Sequence, residues 1–504
     1  MRQLQTNILR VLRSPRFYKA VLALFVLESA WIAVSAAYPM VFDENTQFGV
    51  IQLYSHRWNP VFFSQPPHAA WAGPLAREPS YLYQYLMSFP YRLITLFTGN
   101  LMIQVIFLRF INIALFGTGL VLFHRLLRRT KVSAAMSNGI LLFFVLIPVV
   151  PLLAGQINYD NLVMPLAALA LLLTLSVSDY LGRRGRLPAG RSLQLLTLCM
   201  FGSLVQFEFL PIFAGIVLWL GWQIWRQTRQ KSLELAGTIR DGWHSGSWQR
   251  KLAVGLPLAI AAMLFVEMYG VNLVVYHNPT PACDQVLSAQ ECAGYGAWQR
   301  DQIALAHKSP VNANPLLYGA SWTYRMFVAS FYTSSGGASP QAYYLSVNPL
   351  PVIFVAALAV FLVGIALFVI YHRTIFRRYR YIGFLLFICI FYGVLLWLRN
   401  YADFVHVGQK IAINGRYLFP IALPAMLLVA LAYRQAFAQK HHLKLGLIIV
   451  LFLLFLQGGG ALTYIAVSNQ HWYWQNRTVI GMNHSAQRIV RPFIVVRKPL
   501  KSFG

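Results

Sequence analysis

The chain has 504 residues, is 58% hydrophobic and carries a formal net charge of +28. Its mean hydropathy of +0.54 excludes an ordinary soluble domain, for which roughly 45–50% apolar residues is usual. The basic residues fall in short bursts between apolar runs, which is the charge pattern of a multi-spanning membrane protein and needs no nucleic acid as partner.

Apolar runs of spanning length recur throughout, and the expected fold is an all-α polytopic membrane protein, one unit over 1–504, with about eleven transmembrane helices. The first runs from Ala20 to Tyr38. Arg10, Arg13, Arg16 and Lys19 precede it, which places the N-terminus in the cytoplasm. Its full spanning length argues against cleavage at "AVSAAYP".

The chain then enters a first outer loop, 41–100, opening with Asp43 and Glu44. Only 14 acidic residues exist in the whole chain, so two side by side at a membrane exit require a reason. Phe48, Ile51, Tyr54 and Trp58 follow near helical spacing, which predicts a helix at the membrane surface. "PSYLYQYLMSFPYRLI", with Tyr81, Tyr83, Tyr85 and Tyr91, predicts a second in the interfacial aromatic belt. "SQPPHAAWAGP" between them reads as irregular.

Span two, Leu101 to Phe123, leads to the basic "HRLLRRTK", and span three to the tight outer turn "GQINYDN". Span four descends to "GRRGRLPAGR". Spans five and six read as a hairpin joined by "QFEFLP"; a single broken helix there would invert all that follows. Span seven, Leu252 to Tyr276, leads to the second outer loop, 277–348. Spans eight to eleven alternate between "YHRTIFRRYR", "RNYADFVHVGQKIAINGR" and "YRQAFAQKHHLK", leaving an outer tail, 468–504. Arg488, Arg491, Arg497 and Lys498 of that tail run against the charge bias.

Cys199 and Cys389 sit in apolar runs and read as small buried residues. Cys283 and Cys292 lie in the second outer loop, where they can pair; so short a loop would gain about 2.5–3 kcal/mol on the loop-entropy account. Two unpaired thiols is the plainer alternative.

The polar residues expected on the outer side are the candidates for chemistry. Asp43 can be the N-cap of the surface helix, which leaves Glu44 unexplained. Asp160 can cap span four or act chemically, with Asn158 beside it. Arg416, on the outer side against the charge bias, suits an anion, with Lys410 and Tyr417 nearby. Glu78, His56 and His68 complete the set; the two histidines lack zinc-ligand spacing and read most simply as loop residues. Glu208 and Glu267 lie in or near the outer parts of their spans, where a charge costs about 2.5–3.5 kcal/mol at a helix centre.

An acidic pair after the first span, "QINYDNLVMPLAALAL", "AREPSYLYQYLMSFPYRL" and "NGRYLFPIALP" together resemble the GT-C superfamily of polytopic glycosyltransferases, including the protein O-mannosyltransferases and the bacterial aminoarabinose transferases. "REPSY" departs from the double proline usual in the second of these landmarks. The resemblance implies a polyprenyl-phosphate-linked sugar as donor, a lipid, glycan or protein as acceptor, and a site on the extracytoplasmic face of a bacterial plasma membrane. On it, Asp43 is expected to be the general base and Glu44 to position the acceptor or share a divalent cation. Asn158 and Asp160 would hold sugar hydroxyls, and Arg416 with Lys410 the lipid phosphate. Magnesium or manganese on Glu44 and Asp160 would suit hard oxygen ligands, though nothing in the sequence demands a metal. A transporter or flippase for lipid-linked sugars is the alternative, and would bury charges deep in several spans. A non-catalytic scaffold would show no one-sided clustering.

Overall fold

A computed structural model describes residues 2–229, 248–308, 310, 312–331, 351–468 and 472–494. Among these the fold is all-helical, with a single isolated bridge between Ala36 and Tyr473.

The first helices are α1 (Arg2–Arg13), α2 (Pro15–Ser35), α3 (Glu44–Ser55), α4 (Leu82–Thr95), α5 (Leu101–Arg129), α6 (Ala134–Val145), α7 (Val149–Ala154), α8 (Asp160–Arg184), α9 (Ala189–Val205) and α10 (Leu210–Arg229). They are followed by α11 (Trp248–Phe265), α12 (Val271–Tyr276), α13 (Cys283–Val286), α14 (Ala289–Cys292), α15 (Gly296–Ala306) and α16 (Pro315–Phe331). The last are α17 (Pro351–Arg378), α18 (Ile382–Val407), α19 (Phe419–Ala436), α20 (His441–Leu456), α21 (Leu462–Val467) and α22 (Arg477–Val490).

Local chemistry sets these boundaries. Ser14 caps α2, its hydroxyl accepting from Phe17 N at 3.1 Å, with Pro15 at the first helical position. Asn100 caps α5 in the same way, and α8 ends on Gly185 in the left-handed conformation. A π-turn at Val266–Gly270, carrying Glu267, separates α11 from α12.

Among the described residues eight helical stretches are long and apolar enough to cross a membrane: Pro15–Ser35, Leu101–Arg129, Asp160–Arg184, Phe207–Arg229, Lys251–Tyr276, Val352–Arg378, Ile382–Val407 and Gly415–Ala436. The protein is therefore a multi-pass membrane protein. Three further apolar helices, Ala134–Val145, Ala189–Val205 and His442–Leu456, are shorter. The first span is shifted from the expected Ala20–Tyr38: α2 starts at Pro15 and stops at Ser35. α9 and α10 pack side by side across a 3₁₀ turn at Phe207–Phe209, which is the hairpin form of that region.

α5 and α8 form the centre of the bundle. Gly119 permits the approach: a Cβ there would stand 2.8 Å from Met164 Cβ and 3.0 Å from Pro165 N. Phe116, Phe144 and Phe419 meet around them and tie α6 and α19 to this pair. The segment expected as the outer loop 277–348 is helical in its described part, and Cys283 and Cys292 form a disulfide within it. The remainder, and Arg497 and Lys498 of the tail, lie outside the described residues.

The first loop folds as two helices, but unequally. Phe48, Ile51 and Tyr54 of α3 are buried, whereas α4 exposes Leu86, Phe89 and Leu93. α3 is covered by its neighbours on the face of Phe48, Ile51 and Tyr54, while Asn45 on its polar face is exposed; Gln47 and Gln84 join it to α4 at 2.7 Å, as do Gln52 and Tyr91 at 3.1 Å.

Candidate active site

The site is built where four segments meet at one end of the bundle: the link after α2, the N-terminal part of α5, the turn before α8 and the 3₁₀ turn Gly415–Leu418. Each is positioned by buried polar contacts.

The link from α2 to α3 ends on two non-glycine residues in the left-handed region, Phe42 at φ 61° and Asp43 at φ 65°. Such residues cost of order 1–3 kcal/mol each and persist where the surroundings impose them. Asp43 occupies the N-cap position of α3, yet its side chain makes no capping hydrogen bond. Capping therefore does not consume this carboxylate, and its side chain is 70% exposed.

Glu44 behaves in the opposite way. It is fully buried and bonded on both oxygens to Arg109 of α5, Nε to Oε1 at 2.9 Å and Nη2 to Oε2 at 2.7 Å. The same oxygens accept from Met40 N at 2.7 Å and Ile157 N at 3.0 Å. Arg109 also donates to the carbonyls of Ala33 and Ala36. This corrects the expectation for Glu44: committed to Arg109 and two backbone amides, it has no oxygen left to position an acceptor or hold a cation.

One turn along α5, Asn112 orders the turn before α8. Its Oδ1 accepts from the Tyr83 hydroxyl at 2.7 Å and from Asn161 Nδ2 at 2.9 Å. Burial holds the Tyr83 hydroxyl far above the ordinary phenol range, so it remains a donor here. Asn158 joins the turn to the α2–α3 link, Nδ2 donating to Phe42 O at 2.9 Å, while its Oδ1 accepts from Asp160 N at 2.9 Å. That bond ties Asn158 into the fold. Among the described residues Asp160 Oδ2 accepts no hydrogen bond.

Arg416 closes the constellation. Asn414 caps its turn, Oδ1 accepting from Arg416 N at 3.1 Å, and the Tyr392 hydroxyl donates to Tyr417 O at 2.7 Å. The Arg416 guanidinium is buried, 3.8 Å from Asp43 Oδ2 and 3.5 Å from Asp160 Oδ2. It lies over the rings of Phe42 and Tyr417, at 4.7 and 5.0 Å from their centroids. Its Nη2 donates to the Tyr417 hydroxyl at 3.3 Å, while Nε and Nη1 have no hydrogen-bond acceptor among the described residues. Asp43, Asp160 and Arg416, far apart in sequence, thus converge, with Tyr417 beside them.

The other expected residues stand apart from this cluster. Lys410 Nζ donates to Ser321 Oγ at 2.7 Å. Glu78 accepts from Ser80 N at 3.0 Å, and burial raises its carboxyl above the usual carboxylate range. His56 and His68 are exposed, and among the described residues neither side chain bonds to the cluster. No group of three His, Cys, Asp or Glu with metal-binding geometry exists among the described residues. With Glu44 occupied and Arg416 set between the two aspartates, the donor set does not fit a resident cation at Glu44 and Asp160.

A half-open cavity of about 180 Å³ lies alongside, lined by Phe207, Glu208, Tyr392, Leu395, Leu396 and Arg399 among others. Glu208 is within electrostatic reach of Asp160, Arg416 and Arg399. Arg109 and Asn112 are organising residues that sequence reasoning missed. The signal was present: an arginine inside an apolar span is rare enough to be a functional candidate by default. No protein-family model, curated protein or solved structure matches this chain.

Proposed function

We propose that the protein is a membrane glycosyltransferase that moves a sugar from a polyprenyl-phosphate donor to a lipid, glycan or protein acceptor, with inversion at the anomeric carbon. The observation that carries this reading is the convergence of an exposed, uncapped Asp43 and a buried Asp160 on the Arg416 guanidinium. The wider topology belongs to the same proposal: a GT-C-like arrangement of about eleven spans, the three shorter apolar helices completing the eight longer ones. In it the N-terminus is cytoplasmic and the Asp43 end faces outward from a bacterial plasma membrane.

The chemistry asked of each residue follows from its surroundings. The acceptor hydroxyl oxygen attacks the anomeric carbon and its proton passes to the Asp43 carboxylate, acting as general base. The bond between that carbon and the phosphate oxygen breaks, and its electron pair leaves on the lipid phosphate. Arg416 stabilises that charge: its Nε and Nη1, which donate no hydrogen bond among the described residues, match phosphate oxygens. Asp160 holds the guanidinium from the other side, its Oδ2 3.5 Å from Arg416 Nη1, and that oxygen, which accepts no hydrogen bond among the described residues, accepts from a sugar hydroxyl. The apolar walls of the adjoining cavity take the first part of the lipid chain.

A transporter would distribute charges along its spans. The ionisable residues that converge here do so at one end, which favours an enzyme served by a membrane-borne substrate. The test is transfer from labelled polyprenyl-phosphate sugars in membranes holding the wild type or Asp43→Asn. Loss of about 10²–10⁴-fold is expected with unchanged expression, because Asp43 is exposed and caps nothing. Wild-type rates in the variant would remove Asp43 as base.

A further inference from the structure

We propose that the end of α22 and the turn after it form a binding site for anionic phospholipid headgroups, with Arg488 and Arg491 as the cations and Ile489 and Phe493 as apolar anchors. The site does not depend on the transfer reaction.

The inner face of α22 is fixed by polar contacts. Asn483 Nδ2 donates to Ser35 Oγ at 3.1 Å, and Gln487 Nε2 to Ser468 O at 2.6 Å and to the Tyr473 hydroxyl at 2.9 Å. The helix is thus held at the Asp43 end of the bundle, where Trp474 N donates to Ser35 O and Ala37 N to Trp472 O. Its outer surface is left with Arg477, Arg488 and Arg491, all exposed. Among the described residues no carboxylate lies within ion-pair distance of any of them. Arg488 and Arg491 belong to the group that runs against the charge bias of the chain, and the candidate site does not use their charge.

Position and neighbours identify the occupant. Arg491 Nε donates to Ala466 O at 3.1 Å, which sets the cluster beside α21. That helix continues from the apolar α20, which exposes Ile449, Val450 and Leu453. Ile489 and Phe493 are 69% and 75% exposed. Large apolar side chains flanked by arginines, where a lipid-facing helix reaches the end of the bundle, suit the interface: the rings and branched chains enter the acyl boundary while guanidinium groups meet headgroup phosphates. A soluble acidic peptide would satisfy the arginines and leave both apolar side chains in water. Because α22 and the bridge Ala36–Tyr473 brace the link that carries Asp43, lipid held here steadies that link.

The experiment titrates phosphatidylglycerol, with phosphatidylcholine as the neutral probe, into the detergent-solubilised full chain, and follows lipid retention and Tm. The wild type should retain phosphatidylglycerol preferentially and gain Tm from it. Arg488→Gln with Arg491→Gln should weaken that retention by on the order of tenfold or more and remove the extra Tm gain. Arg488→Lys with Arg491→Lys should keep most of both, which separates lost charge from damaged packing. Ile489→Ser with Phe493→Ser should weaken both lipids. Undiminished preference for phosphatidylglycerol in the Gln variant would overturn the assignment, as would an equal Tm gain from a soluble poly-glutamate peptide.

Discussion

Arg109 and Glu44 form a two-pronged ion pair with both side chains fully buried, Nη2 to Oε2 at 2.7 Å. A desolvated pair of this kind is not a strong source of net stability, but breaking it is costly, because the survivor is left charged and unpaired. Here the pair also receives the amides of Met40 and Ile157 and donates to the carbonyls at the end of α2. It therefore joins the two segments that carry Asp43 and Asp160 to α5.

Arg109→Ala is expected to cost about 3–5 kcal/mol, read as a large fall in Tm of the solubilised protein. Arg109→Lys should recover little, since an ammonium cannot reproduce the forked geometry. An apolar pair at both positions should recover only part of the loss, because the amides of Met40 and Ile157 would lose their acceptor. A small change in Tm for Arg109→Ala would show that the pair does not organise this region.

How much of this was legible beforehand follows from the kind of signal. The spans and the basic loops are long-range compositional patterns, and they survive into the helices. Asp43, Asp160 and Arg416 were visible as charges in the wrong place for an apolar chain. The acidic pair could not be divided from sequence: adjacent residues at a helix start point in different directions, so Glu44 turns into the core and Asp43 out of it. Nor could the partner of Glu44 be named, since Arg109 lies 65 positions away in a span whose apolar run hides it.

Arg416 should be as sensitive to shape as to charge. Arg416→Ala is expected to lower transfer by about 10²–10³-fold and to weaken binding of the polyprenyl-phosphate donor. Arg416→Lys should remain well below the wild type, because one ammonium cannot reproduce the planar fork of the guanidinium. Donor titration against each variant measures this directly, and unchanged donor affinity would place Arg416 outside the phosphate site.

Gly415 makes the Arg416 turn possible. A Cβ there would stand 2.5 Å from Met326 O and 2.8 Å from Ser330 N, and these backbone atoms cannot swing aside. Gly415→Ala should cost about 1–3 kcal/mol by overpacking and shift the guanidinium away from both aspartates. Transfer should therefore fall further than the loss of folded protein accounts for. Gly139→Ala, at an open helical position, serves as the contrast and should gain up to about 1 kcal/mol. Equal behaviour of the two variants would mean that the turn tolerates displacement.

Glu78 supplies a pH dependence whose sign is fixed by its burial. The folded state raises its pKa above the ordinary glutamate range, burial outweighing the Ser80 hydrogen bonds and the attraction of Arg399. Between the unfolded value, roughly 4.3, and the higher folded value, the folded protein binds more protons than the unfolded chain. Stability therefore falls as the pH rises through that window, and the favourable contribution is fully present only below it. Glu78→Gln removes the titrating group while keeping an acceptor for Ser80 N. Tm followed from about pH 4 to about pH 8 should decline more for the wild type than for the variant, with the two curves separating as Glu78 ionises. Parallel curves across that range would show that Glu78 titrates alike in both states and that its burial is not felt by the carboxyl.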